Sequence, residues 1–155
     1  MAGMAARGEV EQAASSRVNH QDDQLTVDQL LLEARAALAR LTPAEAKAAQ
    51  SSGAVLIDIR SELQRSRDGE VPGAKRYPRN VLEWRLDPDC AHRDEEIARR
   101  DVHLILLCNE GYQSSLAAAT LRRFGLDATD VIGGFHAWRA DGLPIDPYRG
   151  DDPKS

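Results

Sequence analysis

The stretch Leu104-Ile105-Leu106-Leu107-Cys108-Asn109-Glu110-Gly111-Tyr112-Gln113-Ser114-Ser115-Leu116-Ala117-Ala118 decides how the chain is read. Four consecutive aliphatic residues, with His103 before them, predict a strand buried on both faces. The run ends at a cysteine. Six residues later Ser114 or Ser115 can cap a helix over 116–124, with Gly125 as its C′ residue. Strand, short loop and helix in this order form one half of a parallel α/β unit. Ligands bind at the carboxyl edge of such sheets.

The flanking sequence repeats the alternation. Thr42-Pro43-Ala44-Glu45 supplies an N-cap, a proline at the first helical position and a capping-box acid, and predicts a helix to about Gln50. Ala54 to Ile57 reads as a second buried strand. Ser61 to Gly69 is polar and predicts a short helix and loop. Pro72-Gly73 marks a turn, with a short strand at 75–77 after it. Residues 81–86 predict one or two helical turns and 87–95 a surface loop. Thr129 to Ile132 predicts a third clear strand, and Gly133-Gly134 a tight turn into a helix over 135–140. The predicted class is α/β, with a small, mostly parallel central sheet between helices.

Outside this core, residues 1–24 lack an apolar period and read as a disordered tail. Thr26 and Gln29 fit a capping box. Val27, Leu31, Ala34, Leu38 and Leu41 then make an apolar stripe, so an amphipathic helix is expected within 25–41, ending near Arg40. Residues 147–155 read as a C-terminal tail.

Composition narrows the function classes. The 155 residues carry 20 Lys plus Arg against 25 Asp plus Glu, a formal net charge of −5. This argues against binding nucleic acid through overall basicity. No stretch has the length and apolarity of a membrane span, and no signal-peptide core precedes the helices. The two cysteines, Cys90 and Cys108, form no paired motif, which points to reduced thiols and a cytoplasmic location. The four histidines show no metal spacing with each other or with cysteine, so neither a metal nor a cofactor is expected.

Cys108 carries the chemistry. Backbone N–H groups of the 109–114 loop can converge on its sulfur, and the helix end adds partial positive charge. Both favour thiolate. Gly111 permits the reversal such a cradle needs. The candidate site is Cys108 as nucleophile, with Asn109, Glu110, Gly111, Tyr112, Gln113, Ser114 and Arg60 around the substrate. Asp58 braces the loop, by itself or with Arg60. Trp138 is a candidate for the core. Cys90 is read as incidental. Two chemistries suit a thiolate in an N–H cradle: sulfur transfer through a persulfide, and attack on a phosphate or arsenate.

Four segments, in order, resemble the rhodanese-like domain family. Leu56-Ile57-Asp58-Ile59-Arg60 is similar to its Asp-x-Arg strand end. Gly69-Glu70-Val71-Pro72-Gly73-Ala74 is similar to its Gly-His-Ile-Pro-Gly-Ala turn. Leu107-Cys108 through Ser115 resembles its active-site loop, and Val131 through Trp138 its Gly-Gly-x-x-x-Trp signature. The resemblance implies a rhodanese-like three-layer domain over 42–146 with an extra N-terminal helix. It implies a sulfurtransferase that carries sulfur on Cys108, and by analogy with the fold it places Trp84, Arg79 and Arg85 at the rim of the site. The six-residue loop from Cys108 to Gln113 matches the family's sulfurtransferases, whereas the related phosphatases have one residue more. The expected partner is a small sulfur-containing substrate or a persulfide-donor protein, with no nucleic acid or membrane. The sequence leaves the oligomeric state open. The departures remove positive charge: Asn109 follows the cysteine where many members are basic, Gln113 replaces an arginine, and Glu70 replaces the histidine. Alternatives are a non-catalytic binding or persulfide-sensing module, and, further off, an arsenate reductase or phosphatase.

Overall fold

A computed structural model describes residues 24–150. They fall into two units, 24–30 and 31–150, each taken by itself. The first 23 residues of the predicted N-terminal tail, and 151–155, lie outside the described residues.

In the first unit, Thr26 and Gln29 exchange side-chain and backbone hydrogen bonds at 2.8 and 3.1 Å. This is the expected capping box, and it opens helix α1, Val27–Ala36. The helix stops at Ala36, four residues short of the expected end. Leu38 and Leu41 continue the apolar spacing but leave the helix. Leu38 packs against one core cluster. Leu41 forms a parallel bridge with Val131 instead, its N–H donating to the Asp130 carbonyl. Both side chains are thus half-buried outside the helix.

In the second unit, helix α2 spans Pro43–Ser51 and opens with the full Thr42–Glu45 capping box. Strand β1, Val55–Asp58, leads to helix α3, Glu62–Asp68, which is capped by Ser61 and Gln64. Strand β2 is only Lys75–Arg76. A 3₁₀ turn at Arg79–Val81 runs into helix α4, Leu82–Leu86. Strand β3, His103–Leu107, precedes helix α5, Gln113–Arg122. Strand β4, Asp127–Asp130, and helix α6, Gly134–Ala140, complete the order. The last strand lies two residues earlier than the sequence suggests: Val131 still donates to the Leu106 carbonyl of β3 at 3.0 Å, but it also bridges Leu41, and the Ile132 N–H donates to the Leu41 carbonyl at 2.8 Å.

The four strands form one parallel sheet in the order β2-β1-β3-β4. Alternate residues of β1 and β3 face opposite ways, as a pleated strand requires. Ile57, Leu104 and Leu106 enter a cluster with Leu82, Leu86, Ala117 and Leu121 from α4 and α5. Leu56, Ile105 and Leu107 enter a second with Ala46, Phe135 and Trp138 from α2 and α6. Helices therefore cover both faces, and the predicted three-layer class holds. Trp138 is fully buried, as expected, and its indole N–H donates to the Pro144 carbonyl at 2.8 Å. All four strands run the same way, so Asp58, Cys108 and Asp130 reach the same carboxyl edge.

Candidate active site

The cysteine lies one residue beyond β3 and is 5% exposed. Its sulfur accepts the N–H groups of Gly111, at 3.1 Å, and Ser114, at 3.4 Å. The Ser114 hydroxyl lies 3.2 Å away. The cradle forms because the chain reverses at Gly111, where φ is +87°, and then enters α5 with the Ser114 amide of its first turn turned back on the sulfur. Such amides stabilise negative charge.

The loop rests on the Gly133-Gly134 turn. The Phe135 N–H donates to the Cys108 carbonyl at 2.8 Å, and the His136 N–H to the Asn109 carbonyl at 3.1 Å. A Cβ on Gly134 would stand 2.5 Å from the Cys108 carbonyl oxygen and 2.8 Å from the Gly111 nitrogen. Close approach of two backbones is what these glycines allow.

The serines do not act as helix caps. Tyr112 holds the N-cap position of α5, without a side-chain hydrogen bond. Ser114 and Ser115 turn inward, and their hydroxyls lie 2.7 and 2.8 Å from the Asp130 Oδ2. Asp130 is fully buried, and a carboxylate there needs every donor it can find. Arg40 completes its shell, Nε to Oδ1 at 2.8 Å and Nη2 to Oδ2 at 3.2 Å.

A cavity of about 250 Å³ opens at the sulfur, lined by Arg60, Gln64, Cys108, Asn109, Glu110, Tyr112 and Gln113. All the expected loop residues are therefore gathered at the site, Gly111 and Ser114 as donors to sulfur and the others as lining. Glu110 is exposed, and its carboxylate lies 3.8 Å from His136 Nδ1. Arg60 lines the cavity, but its charge is committed. Its guanidinium pairs with Asp58 at 2.7 Å, donates to the Gly69 carbonyl at 2.8 Å and stacks 3.8 Å from the Phe135 ring centre. Only its Nη1 lacks a hydrogen-bond partner. Asp58 and Arg60 thus join β1 to the turn at Gly69.

Three rim candidates lie elsewhere. Trp84 lines a separate cavity with Cys90 and Phe124. Arg85 lines another with Tyr77 and Asp94. Arg79 pairs with Glu83, one helical turn on. Sequence reasoning missed Gln64, Arg35, Arg40, Ser115 and Asp130. The capping box that placed Gln64 on α3 was the one signal available for it. Among the described residues no group of three or more His, Cys, Asp or Glu side chains is arranged to hold a metal. Nor is any helix among them long and apolar enough to cross a membrane.

The amide cradle, at the carboxyl edge of a small parallel sheet and seated on a Gly-Gly turn, marks Cys108 as the candidate reacting group. A rhodanese-like domain model matches residues 42–141, and the chain belongs to that family. It is 33% identical over 114 residues to the thiosulfate sulfurtransferase GlpE of Ectopseudomonas mendocina, covering 73% of this chain and 94% of that one. The GlpE of Pseudomonas savastanoi is also 33% identical, over 65% of this chain and 87% of that protein. Among solved structures, a protein of unknown function from Rhodopseudomonas palustris, described as a possible tyrosine phosphatase, is similar with a TM-score of 0.73. It shares 34% identity, covering 79% of this chain and 96% of that one.

Proposed function

We propose that this protein is a sulfurtransferase that carries sulfane sulfur as a persulfide on Cys108. The carrying observation is the sulfur itself, held by the Gly111 and Ser114 amides at the floor of an open cavity. The Cys108 thiolate attacks the outer sulfur of the donor. The donor's S–S bond breaks, and its remainder leaves with the bonding pair as sulfite or a thiolate. A thiophilic acceptor then attacks the outer sulfur of the persulfide and restores the Cys108 thiolate. Two half-reactions through a covalent intermediate give ping-pong kinetics.

The lining favours one donor class. Among the described residues, Arg60 is the only basic side chain lining the cavity, and it is paired with Asp58, while Glu110 adds negative charge. An uncharged sulfane-sulfur compound, or a persulfide on a partner protein, suits this site better than thiosulfate. Reduced thiols such as Cys90 and Cys108, both free, suit a cytoplasmic setting. The test is the intact mass after incubation with an uncharged dialkyl trisulfide and, separately, with thiosulfate. With the trisulfide, Cys108 displaces an alkanethiolate at the central sulfur, and that alkanethiolate then attacks the alkyl-bearing sulfur of the mixed trisulfide, leaving the persulfide and a dialkyl disulfide. The expected result is a gain of one sulfur atom, removed by cyanide, absent in Cys108→Ser, and more complete with the trisulfide. No gain with either donor overturns the reading.

One observation favours a second reading: the description of the Rhodopseudomonas palustris protein as a possible tyrosine phosphatase. Against it, the sixth loop position is Gln113, so a transferring phosphoryl group would lack a guanidinium clamp there. Aryl phosphate hydrolysis that disappears in Cys108→Ser would establish it.

A further inference from the structure

Ahead of the family-matched segment, which begins at Thr42, two arginines reach the back of the catalytic loop. Arg35 Nη2 donates to the Gly111 carbonyl at 2.8 Å, and Arg40 Nη2 to the same oxygen at 3.1 Å. Arg35 Nε also reaches the Ser115 hydroxyl at 3.1 Å, and its guanidinium lies 5.7 Å from the Tyr112 ring centre. Holding this carbonyl fixes the peptide plane between Gly111 and Tyr112. In a trans peptide the N–H points opposite to the C=O. The Tyr112 amide is therefore turned away from the arginines.

Ser114 has one hydroxyl hydrogen and two claimants. Asp130 Oδ2 is 2.7 Å from its oxygen and Cys108 Sγ is 3.2 Å. With Cys108 as a thiol, the S–H can donate to the serine oxygen while the serine donates to Asp130. A thiolate has no hydrogen to give, so the serine must turn its own toward sulfur. Asp130 can release it only because Ser115 and Arg40 still hold the carboxylate. Without Arg40, a fully buried anion would compete for that hydrogen and repel the thiolate. The other charged groups nearby are Arg60, paired with Asp58, and the exposed Glu110 beside His136.

We propose that Arg40, seconded by Arg35, is a positioning residue of the Cys108 site: it neutralises Asp130, so that Ser114 can turn to the thiolate, and it anchors the loop at the Gly111 carbonyl. This rests on Cys108 reacting as a thiolate, as the proposed function requires. The two cations stand behind the loop, where they compensate the neutral Asn109 and Gln113 within it.

The test measures iodoacetamide alkylation of Cys108 against pH, in a Cys90→Ser background, with a thermal melt of each variant. Arg40→Met is expected to slow alkylation at neutral pH by about tenfold and to move the profile to higher pH. Arg40→Lys is expected to restore part of the rate, and Arg35→Gln to slow it by roughly threefold. The discriminating variant is Arg40→Met/Asp130→Asn, which lacks both charges and is expected to alkylate faster than Arg40→Met alone. If Arg40→Met does not fold, the double variant, compared with Arg40→Lys and the parent, takes its place. It is then expected to approach the parent rate, and a rate tenfold or more below the parent overturns the proposal. An unchanged profile in the Arg40 and Arg35 variants, or no recovery in the double variant, also overturns it. Failure of the sulfurtransferase reading shows differently, as a parent that alkylates with the expected variant pattern yet gains no sulfur.

Discussion

Two glycines of the same backbone hand but different surroundings allow the loop's seat to be tested. Gly134 has φ of +59° and Gly142 has φ of +71°. An alanine at either must adopt a left-handed conformation, costing about 1–2 kcal/mol. At Gly142 the new Cβ meets nothing within 4 Å. At Gly134 it stands 2.5 Å from the Cys108 carbonyl oxygen, 2.8 Å from the Gly111 nitrogen and 2.9 Å from the Asn109 carbonyl carbon. All three are backbone atoms of the catalytic loop, so the loop must move. Restoring ordinary contact takes a shift of roughly 0.5–1 Å, and such overpacking adds about 1–3 kcal/mol. A displacement of that size disturbs the 3.1 Å bond from the Gly111 N–H to sulfur. Misplacement of about 1 Å at a reacting group costs on the order of a hundredfold in rate. Gly142→Ala is therefore expected to lower Tm by about 2–8 °C with Cys108 alkylation unchanged. Gly134→Ala should lower Tm further and slow both alkylation and sulfur transfer by roughly a hundredfold. The assays are a calorimetric melt and the alkylation rate of each variant. Equal alkylation rates in the two variants would refute the claim that the loop depends on its glycine seat.

Two more expectations concern buried and half-buried charge. Asp58→Ala leaves the Arg60 guanidinium buried beside an aromatic ring without its carboxylate, and should cost about 3–5 kcal/mol in urea unfolding; a loss under about 1 kcal/mol would refute the bracing role. Burial pushes the Asp94 carboxyl up, but hydrogen bonds from Lys75 and Tyr77 outweigh it and hold it below the usual range. Burial likewise pushes Lys75 down, and its bonds to Asp94 and Glu96 outweigh that and raise it. Stability from the lowered carboxyl is present above about pH 4 and lost as pH falls through its folded value. Stability from the raised ammonium is complete below about pH 10 and lost as pH rises through its folded value. Lys75→Met should therefore flatten both ends of a stability-against-pH curve, and unchanged ends would exclude the pair as a contributor.

The frame of the fold was readable because its signals are local. Thr42-Pro43-Ala44-Glu45, the aliphatic run before Cys108 and the Gly133-Gly134 pair each act within a few residues. The site was legible in the same measure: the loop follows from its own sequence. What surrounds it does not. Arg40 meets Asp130 across 90 residues and Arg35 meets Gly111 across 76. No spacing in the sequence announces such pairs. Ser114 and Ser115 carried a strong capping signal, yet the demand of a buried carboxylate outranked it. Leu38 and Leu41 kept a helical period, yet outside α1 Leu38 packs against a core cluster and Leu41 bridges Val131.

The seat of the loop lies downstream of the loop itself. The Cys108 and Asn109 carbonyls are taken by amides of Phe135 and His136, and Leu41 closes against Val131. In chain order Gly133, Gly134, Phe135 and His136 all follow Cys108. The cradle is therefore complete only when the Gly133-Gly134 turn has folded back under the loop. Residues well downstream of the loop thus hold the backbone that aims the Gly111 and Ser114 amides at the Cys108 sulfur.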